Sequence, residues 1–417
     1  MNKRAMIPLP NDVRTIIDII REYGAESYVV GGCVRDSMLG REPKDWDICS
    51  PVPAKELEVY FKEKGYRTID TGVKHGTISV VIGNNLYEVT TFRKDGKYSD
   101  GRHPDQVEFI SDLTEDLARR DFTINAIAYN PETGLIDPFG GTKDLSRNVL
   151  RCVGNPRQRF QEDALRILRA LRFASTYNFQ IEKRTSQAML VYAPLLRNIA
   201  MERINKEFTS ILLYGDATDI LIPYRAIIEQ FIPEINVYDD ALYRNICFWI
   251  DAAPIDVSIR LAILLSSLYE YQIPLANLRY DNITVKDVCT LIEHFNDIYF
   301  TPVPSVLKRH LRDYGAICVY KLLYMKDACP TTTEIQQVRY MKSLRVLNTI
   351  RSNNECYSLR QLNINGRDLI RQGMKPGKTI GELLNQLLDE VICGTLDNDP
   401  IMLLARAGVL IKEGDYT

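Results

Sequence analysis

The fold is decided by an N-terminal stretch in which Gly31-Gly32-Cys33-Val34-Arg35-Asp36 is followed by Asp45-Trp46-Asp47. The paired glycines end a short β-type run, residues 27–30, and lead into a helix predicted over residues 34–39. Glycines in such a turn let backbone N–H groups approach a phosphate, and the start of a helix favours an anion. A purely structural turn explains paired glycines about as often, so the residues that follow must decide.

Acidic residues follow the glycines in a pattern that indicates metal chemistry. Asp45 and Asp47 are predicted to lie on a strand, where residues two apart point to the same face. Adjacent carboxylates repel each other unless a cation lies between them, and Mg²⁺ prefers carboxylate oxygens together with substrate phosphates. Glu88, on a later predicted strand, is a weaker third ligand or a support. This set predicts two-metal phosphoryl transfer, whereas an isolated pair would be a solvent-facing acidic surface.

The elements predicted along the chain change character near residue 150. Before it, helix and strand signals alternate, and the β-type runs 78–82 and 86–91 flank Gly83-Asn84-Asn85 as a hairpin. A polar loop is predicted over residues 93–105. Beyond residue 151 the strand signals nearly vanish, and a long helix is predicted over residues 157–176. The sequence therefore predicts an α/β head followed by an all-helical remainder.

The glycine and aspartate motif resembles the first motif of class II tRNA nucleotidyltransferases and bacterial poly(A) polymerases. Four further blocks occur in the order of that family: Arg119-Arg120-Asp121-Phe-Thr-Ile-Asn125-Ala126, Ile136-Asp137-Pro138-Phe139-Gly140-Gly141, Glu162-Asp163-Ala-Leu-Arg166-Ile-Leu-Arg169-Ala-Leu-Arg172-Phe173 and Glu202-Arg203-Ile204. The resemblance implies an α+β fold with a polymerase-β-like nucleotidyltransferase head at residues 1–150. A helical neck at 151–212, a body at 213–300 and a tRNA-binding tail at 301–417 are expected to follow.

The resemblance also implies a nucleotide site in the head. Arg120 is expected to meet the triphosphate, Asp121 to accept a hydrogen bond from the ribose hydroxyls, and Asn125 to support that contact. Gly32 and Arg35 of the first motif are expected to bind the nucleotide as well. Without the family context, Arg119-Arg120-Asp121 is equally well explained as the solvated start of a helix.

The predicted neck helix carries two candidate residues for selecting the base of the nucleotide. Asp163 and Arg166 are three residues apart and would be neighbours on a helix surface. Cytosine and adenine both offer an amino group beside a ring-nitrogen acceptor, which a carboxylate and a guanidinium can pair with. Uracil and guanine place a carbonyl oxygen where Asp163 needs a donor. Arg169 and Arg172 continue the three-residue spacing and could reach the triphosphate or the RNA. The alternative is that Asp163 and Arg166 form an ion pair within the helix and that the other arginines are a solvated face.

Composition and charge indicate what kind of surface the protein has and where in the cell it acts. The chain has 417 residues and a formal net charge of −2, which does not indicate a wholly basic polyanion-binding surface. Residues 151–210, however, hold eleven Lys and Arg against five Asp and Glu, and residues 211–300 hold five against thirteen, so a localised anion site is expected. The nine scattered cysteines, without metal-ligand spacing, and the absence of a signal-peptide or membrane-spanning run predict a cytoplasmic protein with no membrane contact.

Together these features predict template-independent addition of CCA to the 3′ end of tRNA, with CTP, ATP and Mg²⁺ and no inferable protein partner. Addition of A alone, poly(A) synthesis or, in another class, non-catalytic RNA binding remain as alternatives. The resemblance implies that the loop at residues 93–105 helps the neck switch from C to A, through Arg102 or Asp105. Excision from Asp95 to Gly101 is therefore predicted to spare both C additions and to cripple the terminal A.

Overall fold

The computed structural model describes residues 7–72, 76–96 and 106–412. It divides into two compact units, Met1–Val237 and Tyr238–Thr417. The first contains every strand found in the described residues, and the second is helical.

A seven-stranded mixed sheet forms the centre of the first unit, in the order β3-β4-β5-β2-β1-β8-β9. Its strands pair antiparallel except for β2 and β5, which are parallel. Two small two-stranded sheets, β6-β7 and β10-β11, accompany it. The strands are β1 (Tyr28–Val30), β2 (Ile48–Ser50), β3 (Arg67–Gly72), β4 (Thr77–Ile82), β5 (Asn85–Thr91), β6 (Arg93–Asp95), β7 (Val107–Phe109), β8 (Ala128–Asn130), β9 (Gly134–Ile136), β10 (Val149–Leu150) and β11 (Gln180–Ile181).

Helices flank the sheet and then continue the first unit. They are α1 (Asn11–Glu22), α2 (Gly32–Met38), α3 (Ala54–Glu63), α4 (Leu113–Ala118), α5 (Gly141–Ser146), α6 (Pro156–Glu162), α7 (Leu165–Tyr177), α8 (Lys183–Tyr192), α9 (Met201–Leu213), α10 (Ala217–Leu221) and α11 (Arg225–Ile228). Amphipathic α1 buries Ile16, Ile17, Ile19 and Ile20, which is the apolar stripe of a helix lying on a core. Tyr28, Val30 and Cys49 join Leu117 and Ala128 in a second cluster.

Three predicted elements differ from the structure. The hairpin is present as β4 and β5, but the strand predicted at Asp45 begins only at Ile48. The single helix predicted over residues 157–176 is two helices, α6 and α7, because the backbone at Asp163 is extended (φ −145°, ψ 105°). The start of the predicted polar loop is strand β6, which pairs with β7. At Asp163 the carboxylate accepts a hydrogen bond from the Leu165 N–H, which favours a new helix start over a continuous helix.

The second unit is built from helices alone within the residues described. They are α12 (Asp240–Ala252), α13 (Val257–Leu265), α14 (Gln272–Asn277), α15 (Asn282–His294), α16 (Pro304–Tyr314), α17 (Ala316–Asp327), α18 (Glu334–Ser352), α19 (Gly366–Arg371), α20 (Lys378–Cys393) and α21 (Pro400–Lys412). Leu369, Leu383, Leu387, Leu403 and Leu410 pack α19, α20 and α21 together. No helix in the described ranges is both long and apolar enough to cross a bilayer. The predicted α+β class, with a mixed-sheet head and a helical remainder, is confirmed.

Candidate active site

Three carboxylates, those of Asp45, Asp47 and Glu88, are brought together where the inner strand β2 begins beside β5; this group is called the carboxylate edge. The Val30 N–H donates to the carbonyl of Asp47 at 3.0 Å, which sets the end of β1 against the start of β2. The parallel register of β2 and β5 places Glu88 beside Asp47. All three side chains are exposed. The two aspartates thus precede β2 instead of lying on it, yet the predicted grouping of the three acids is present.

Mutual repulsion makes this carboxylate edge electrostatically unsatisfied. Partial loss of hydration raises the pKa of Asp47, and the charge of Asp45 raises it further, while Arg120 opposes both effects. Loss of hydration likewise raises the pKa of Glu88, with added contributions from Asp47 and Asp45. An opposite charge brought between these groups would relieve the repulsion. The edge is therefore suited to a cation.

The donor atoms at this edge fit Mg²⁺ in part. Within the described ranges, no three His, Cys, Asp or Glu side chains are placed to hold a metal ion by themselves. Glu88 therefore does not complete a three-carboxylate site, although it adds negative charge. Mg²⁺ is usually held by one or two carboxylates, with water and substrate phosphates completing its octahedral shell. Asp45 and Asp47 match that pattern, and their assignment as ligands stays a prediction.

Arg120 lies between the paired glycines and the carboxylate edge. Gly31 has a φ of 83°, and a Cβ added there would lie 3.0 Å from Nη1 of Arg120, so the close approach favours glycine. A Cβ on Gly32 would meet only Arg35, at 3.6 Å. Lack of space within the protein therefore does not explain the glycine at this position, and its contact with a nucleotide stays a prediction. Among the described residues, Nε of Arg120 is buried without a hydrogen-bond partner. This guanidinium retains donor capacity for an anion.

Buried Asp116, which the sequence reasoning missed, holds Arg120 in place. Its carboxylate lies 2.7 Å from Nη2 of Arg119 and 3.4 Å from Nη2 of Arg120, and it accepts a hydrogen bond from the N–H of Arg93 at 3.2 Å. Burial alone would raise the pKa of Asp116, but the two arginines hold it below its usual value. The signal in the sequence was the spacing of three and four residues from Asp116 to the arginine pair.

Asp121, whose contact with the ribose hydroxyls stays a prediction, is held by four hydrogen bonds within the protein. Its carboxylate accepts hydrogen bonds from the Phe122 N–H at 2.8 Å, from Asn125 Nδ2 at 3.0 Å, and from Nε and Nη2 of Arg169 at 3.0 and 2.7 Å. A carboxylate has about four acceptor positions, so these contacts fill it. Burial would raise the pKa of Asp121, but Arg169 and Asn125 lower it to about 2. In this structure Asp121 positions Arg169 and Asn125.

The guanidinium of Arg35 is held by several contacts within the protein. Its Nε and Nη2 donate to Asp36 at 2.9 and 3.0 Å, and its Nη1 donates to Oδ1 of Asn125 at 2.6 Å. The guanidinium stacks 5.1 Å from the ring of Phe173 and 4.7 Å from that of Tyr177. Arg35 thereby joins helix α2 to helix α7, a contact that only the folded chain reveals. Its binding of a nucleotide stays a prediction.

The two candidate base-selecting residues are adjacent, but not on one helix face. Asp163 precedes α7, where its carboxylate accepts from the Leu165 N–H and from Nη2 of Arg203, both at 3.0 Å. The Arg166 N–H donates to the carbonyl of Asp163 at 3.1 Å, and Nη1 of Arg166 lies 2.8 Å from Glu162. The prediction of a shared helix surface was wrong, because the break in the helix turns Asp163 toward Arg203.

Arg166, Arg169 and Arg172 are each held by acceptors within the protein. Nη2 of Arg166 donates to the carbonyl of Arg119 at 3.2 Å. Nε of Arg172 lies 2.5 Å from Glu207, and Arg169 reaches the same carboxylate at 3.9 Å. The sequence analysis quoted Glu162 and Arg203 within motifs but gave them no role, and it missed Glu207. Only the tertiary structure shows that these residues fix the arginines. Arg102 and Asp105 lie outside the described residues.

Family comparisons cover both units. Residues 27–151 match the family described as "Poly A polymerase head domain", residues 178–238 match "Probable RNA and SrmB- binding site of polymerase A", and residues 260–407 match tRNA nucleotidyltransferase domain 2. The CCA-adding enzyme of Ligilactobacillus salivarius (strain UCC118) is 34% identical over 95% of this chain and 96% of its own. That of Enterococcus faecalis (strain ATCC 700802 / V583) is 34% identical over 98% of each.

This chain belongs to the family of CCA-adding enzymes. A solved structure of the Bacillus stearothermophilus CCA-adding enzyme in complex with CTP superposes with a TM-score of 0.76 at 28% identity, covering 98% of this chain and 99% of that one. The resemblance inferred from the ordered motifs is thereby confirmed, as is the enzyme class, a CCA tRNA nucleotidyltransferase. The roles of the individual site residues stay predictions.

Proposed function

We propose that this CCA-adding enzyme transfers CMP from CTP and AMP from ATP to the 3′ end of tRNA, without a nucleic-acid template. The observation that carries the proposal is the exposed, mutually repelling edge of Asp45, Asp47 and Glu88 beside the incompletely paired Arg120. Negative charge prepared for a cation and positive charge prepared for phosphate lie next to each other there. Nucleotidyl transfer from a triphosphate requires that combination.

In the proposed reaction, the 3′-hydroxyl of the RNA attacks the α-phosphate of the nucleotide and pyrophosphate leaves. Mg²⁺ held by Asp45 and Asp47 would activate the hydroxyl and stabilise charge on the phosphate. Arg120 donates to the triphosphate, and Asp116 keeps its guanidinium beside Gly31. Gly32 contributes backbone at the start of α2. Metal dependence is general in this family, and Mg²⁺ is the ion that the oxygen donors favour.

Base selection is assigned to Asp163 and Arg166. Asp163 accepts one hydrogen bond on each oxygen, which leaves acceptor capacity for the amino group of cytosine or adenine. Arg166 is the proposed donor to the neighbouring ring nitrogen, on a side chain fixed by Glu162 and two backbone carbonyls. A base with a carbonyl in place of the amino group leaves Asp163 without a donor, which can discriminate by about 10⁴-fold.

The proposed division of labour follows the four segments of the chain. The head (residues 1–150) performs the chemistry and the neck (151–212) selects the base. The body (213–300) and tail (301–417) hold the tRNA through phosphate contacts, which carry little sequence information. Arg169 and Arg172, pinned by Asp121 and Glu207, shape the neck side of the nucleotide site.

The test is incubation with tRNA transcripts that end at the discriminator base, at C or at CC, with each nucleoside triphosphate separately and then together. Complete CCA synthesis from the bare end is the expected result. Activity on the CC end alone would identify an A-adding enzyme, and long A tails would identify a poly(A) polymerase. Binding of tRNA without incorporation of any nucleotide would leave only RNA binding.

A further inference from the structure

The surplus positive charge of the neck is not carried by the arginines of its motif. Six of the eleven basic side chains between residues 151 and 210 are ion-paired with carboxylates: Arg151, Arg159, Arg166, Arg169, Arg172 and Arg203. The other five are Arg157, Lys183, Arg184, Arg197 and Lys206, and in the described part of the chain none of them lies within ion-pair distance of a carboxylate. The net positive charge of this segment is therefore carried by five side chains other than the ion-paired arginines of the motif.

Two of these unpaired arginines, Arg157 and Arg184, line one cleft. It has a volume of about 640 Å³ and lies between the start of α6 and helix α8. Gln187 adds an amide, and Pro156 and Val191 add apolar wall. Both arginines are exposed, and the side chain of Val191 is 67% exposed. The cleft thus combines cationic donors with an apolar surface.

The acid that borders this cleft does not cancel its charge. Glu182 accepts hydrogen bonds from the N–H of Thr185 at 2.8 Å and from Oγ1 of Thr185 at 3.0 Å, and it lies 3.6 Å from Arg151. It therefore caps α8 and balances Arg151, which also pairs with Asp144 at 3.0 Å. Arg157 and Arg184 are left for an external anion.

We propose that the Arg157–Arg184 cleft binds a backbone phosphodiester of the RNA strand whose 3′ end is extended. The inference rests on the proposed function and names a contact surface for its RNA substrate. Guanidinium groups pair with phosphate oxygens in a forked geometry, and the Gln187 amide can add a donor. A ribose can lie against Val191. Arg157 is on the same helix as Glu162, roughly 8 Å away along the axis at 1.5 Å per residue, so the cleft lies close to the base-selecting residues.

A free nucleoside triphosphate is a poorer occupant of this cleft than RNA. Its phosphates are normally accompanied by Mg²⁺, which needs carboxylate oxygens, and the single carboxylate at the cleft, Glu182, is already engaged. The carboxylate edge at Asp45 and Asp47 offers what a metal-bound triphosphate requires. A phosphodiester carries one charge and needs no metal, which matches two guanidinium groups and an amide.

Charge reversal tests the assignment in the full-length enzyme. Arg157→Glu and Arg184→Glu are compared with Arg197→Glu, which makes the same change at an exposed, unpaired neck arginine outside the cleft. We expect each cleft variant to raise the Kd for tRNA at least about 10-fold more than Arg197→Glu does. The slope of log K against log salt should become shallower by about one for each arginine replaced. The KM for CTP and ATP should stay unchanged, and circular dichroism should confirm folding.

Three results would overturn the proposal. Equal weakening by Arg197→Glu would mean that general charge, and not the cleft, attracts RNA. Unchanged tRNA affinity and salt slope in both cleft variants would remove the contact. A raised KM for CTP with normal tRNA affinity would make the cleft a nucleotide site. Failure of the wild-type enzyme to extend tRNA would refute the proposed function instead, and binding of a single-stranded RNA oligonucleotide would still test the cleft.

Discussion

The carboxylate edge of the head and the charged network of the neck differ in how far their charges are paired within the protein. At the edge, Asp45, Asp47 and Glu88 are exposed, and partial loss of hydration together with neighbouring carboxylates raises the pKa of Asp47 and that of Glu88. In the neck, Asp163 and the motif arginines each have a protein partner at 3.0 Å or less. The edge has negative charge that a cation can balance, whereas the charges of the neck are already paired within the protein. We expect the edge to bind its ligands during the reaction and the neck to select among nucleotides.

This difference explains how one reactive centre can serve two bases. A preorganised site gains selectivity because its polar groups do not move to suit a wrong ligand. Asp163 is fixed by Arg203, and Arg166 by Glu162, so under the proposed function the pair would act as a rigid protein substitute for a template. The chemical step needs no information about the base and is left to the exposed edge.

The largest effect is expected where charge is unpaired. Asp45→Ala or Asp47→Ala should lower incorporation of both C and A by about 10³-fold or more, because several kcal/mol of charge stabilisation is lost at the phosphate. Binding of tRNA, measured by filter retention, should be nearly unchanged. Asp18→Ala, which removes an exposed head carboxylate paired with Arg21 at 2.8 Å, is the control and should retain activity. Near-normal turnover of either site variant with Mg²⁺ would reject the metal assignment.

The next effect probes the preorganised neck. Asp163→Ala should slow the reaction and reduce the preference for CTP and ATP over UTP and GTP by about 10²-fold or more, because the acceptor for the amino group is gone. Competition between nucleotides on one tRNA end measures this preference. Asp216→Ala changes an exposed aspartate of the same unit and should leave the preference intact. If Asp163→Ala slowed every nucleotide equally, Asp163 would be a structural partner of Arg203 only.

A rigid Asp163–Arg166 pair cannot by itself change preference from C to A, so a third prediction concerns the segment after β6. The deletion is best confined to residues 97–101, because Asp95 belongs to β6 and lies 3.3 Å from Arg93 and 3.7 Å from Arg119. It should leave both C additions and lower the terminal A addition about 10²-fold, the size expected for misplacing a substrate. A Gly/Ser replacement of equal length controls for chain connectivity. Equal losses for C and A would make the segment a plain connection.

The smallest effect concerns stability in the neck network. The pKa of Asp121 is lowered from 3.8 to about 2, so its ionised form stabilises the fold at pH values above about 4, and this contribution is lost as the pH falls toward 2. Asp121→Asn should lower the free energy of unfolding at pH 7 by about 2 kcal/mol. The difference from wild type, measured by urea unfolding, should shrink below pH 4. A difference that stays constant down to pH 2 would contradict the ion-pair explanation.

Sequence patterns were most informative where the chemistry is local. The hairpin of β4 and β5 follows from short-range periodicity and turn residues, and Asp45 and Asp47 are grouped because they are close in sequence, although they precede β2. The protein partners of Asp121 and Arg35 could not be predicted, because Arg169 and Phe173 lie far along the chain. The sequence did not predict the break at Asp163, since Ala164 and Leu165 favour a helix. The extended backbone is stabilised by the hydrogen bonds that Asp163 accepts from Leu165 and Arg203. Motif order identified the family, but it could not show which arginines were already paired.

The burial of Cys33 and Cys49 has a consequence for thiol chemistry close to the carboxylate edge. Burial raises the pKa of Cys33 to about 11, although a hydrogen bond with the backbone of Asp47 opposes the rise, and burial raises the pKa of Cys49 as well. Alkylating and oxidising agents attack the thiolate, which neither residue forms at neutral pH in the folded head. Exposed Cys393 has no such protection from burial. Labelling of Cys33 would therefore measure how often the head opens, and both thiols are protected from oxidation for as long as the head stays folded.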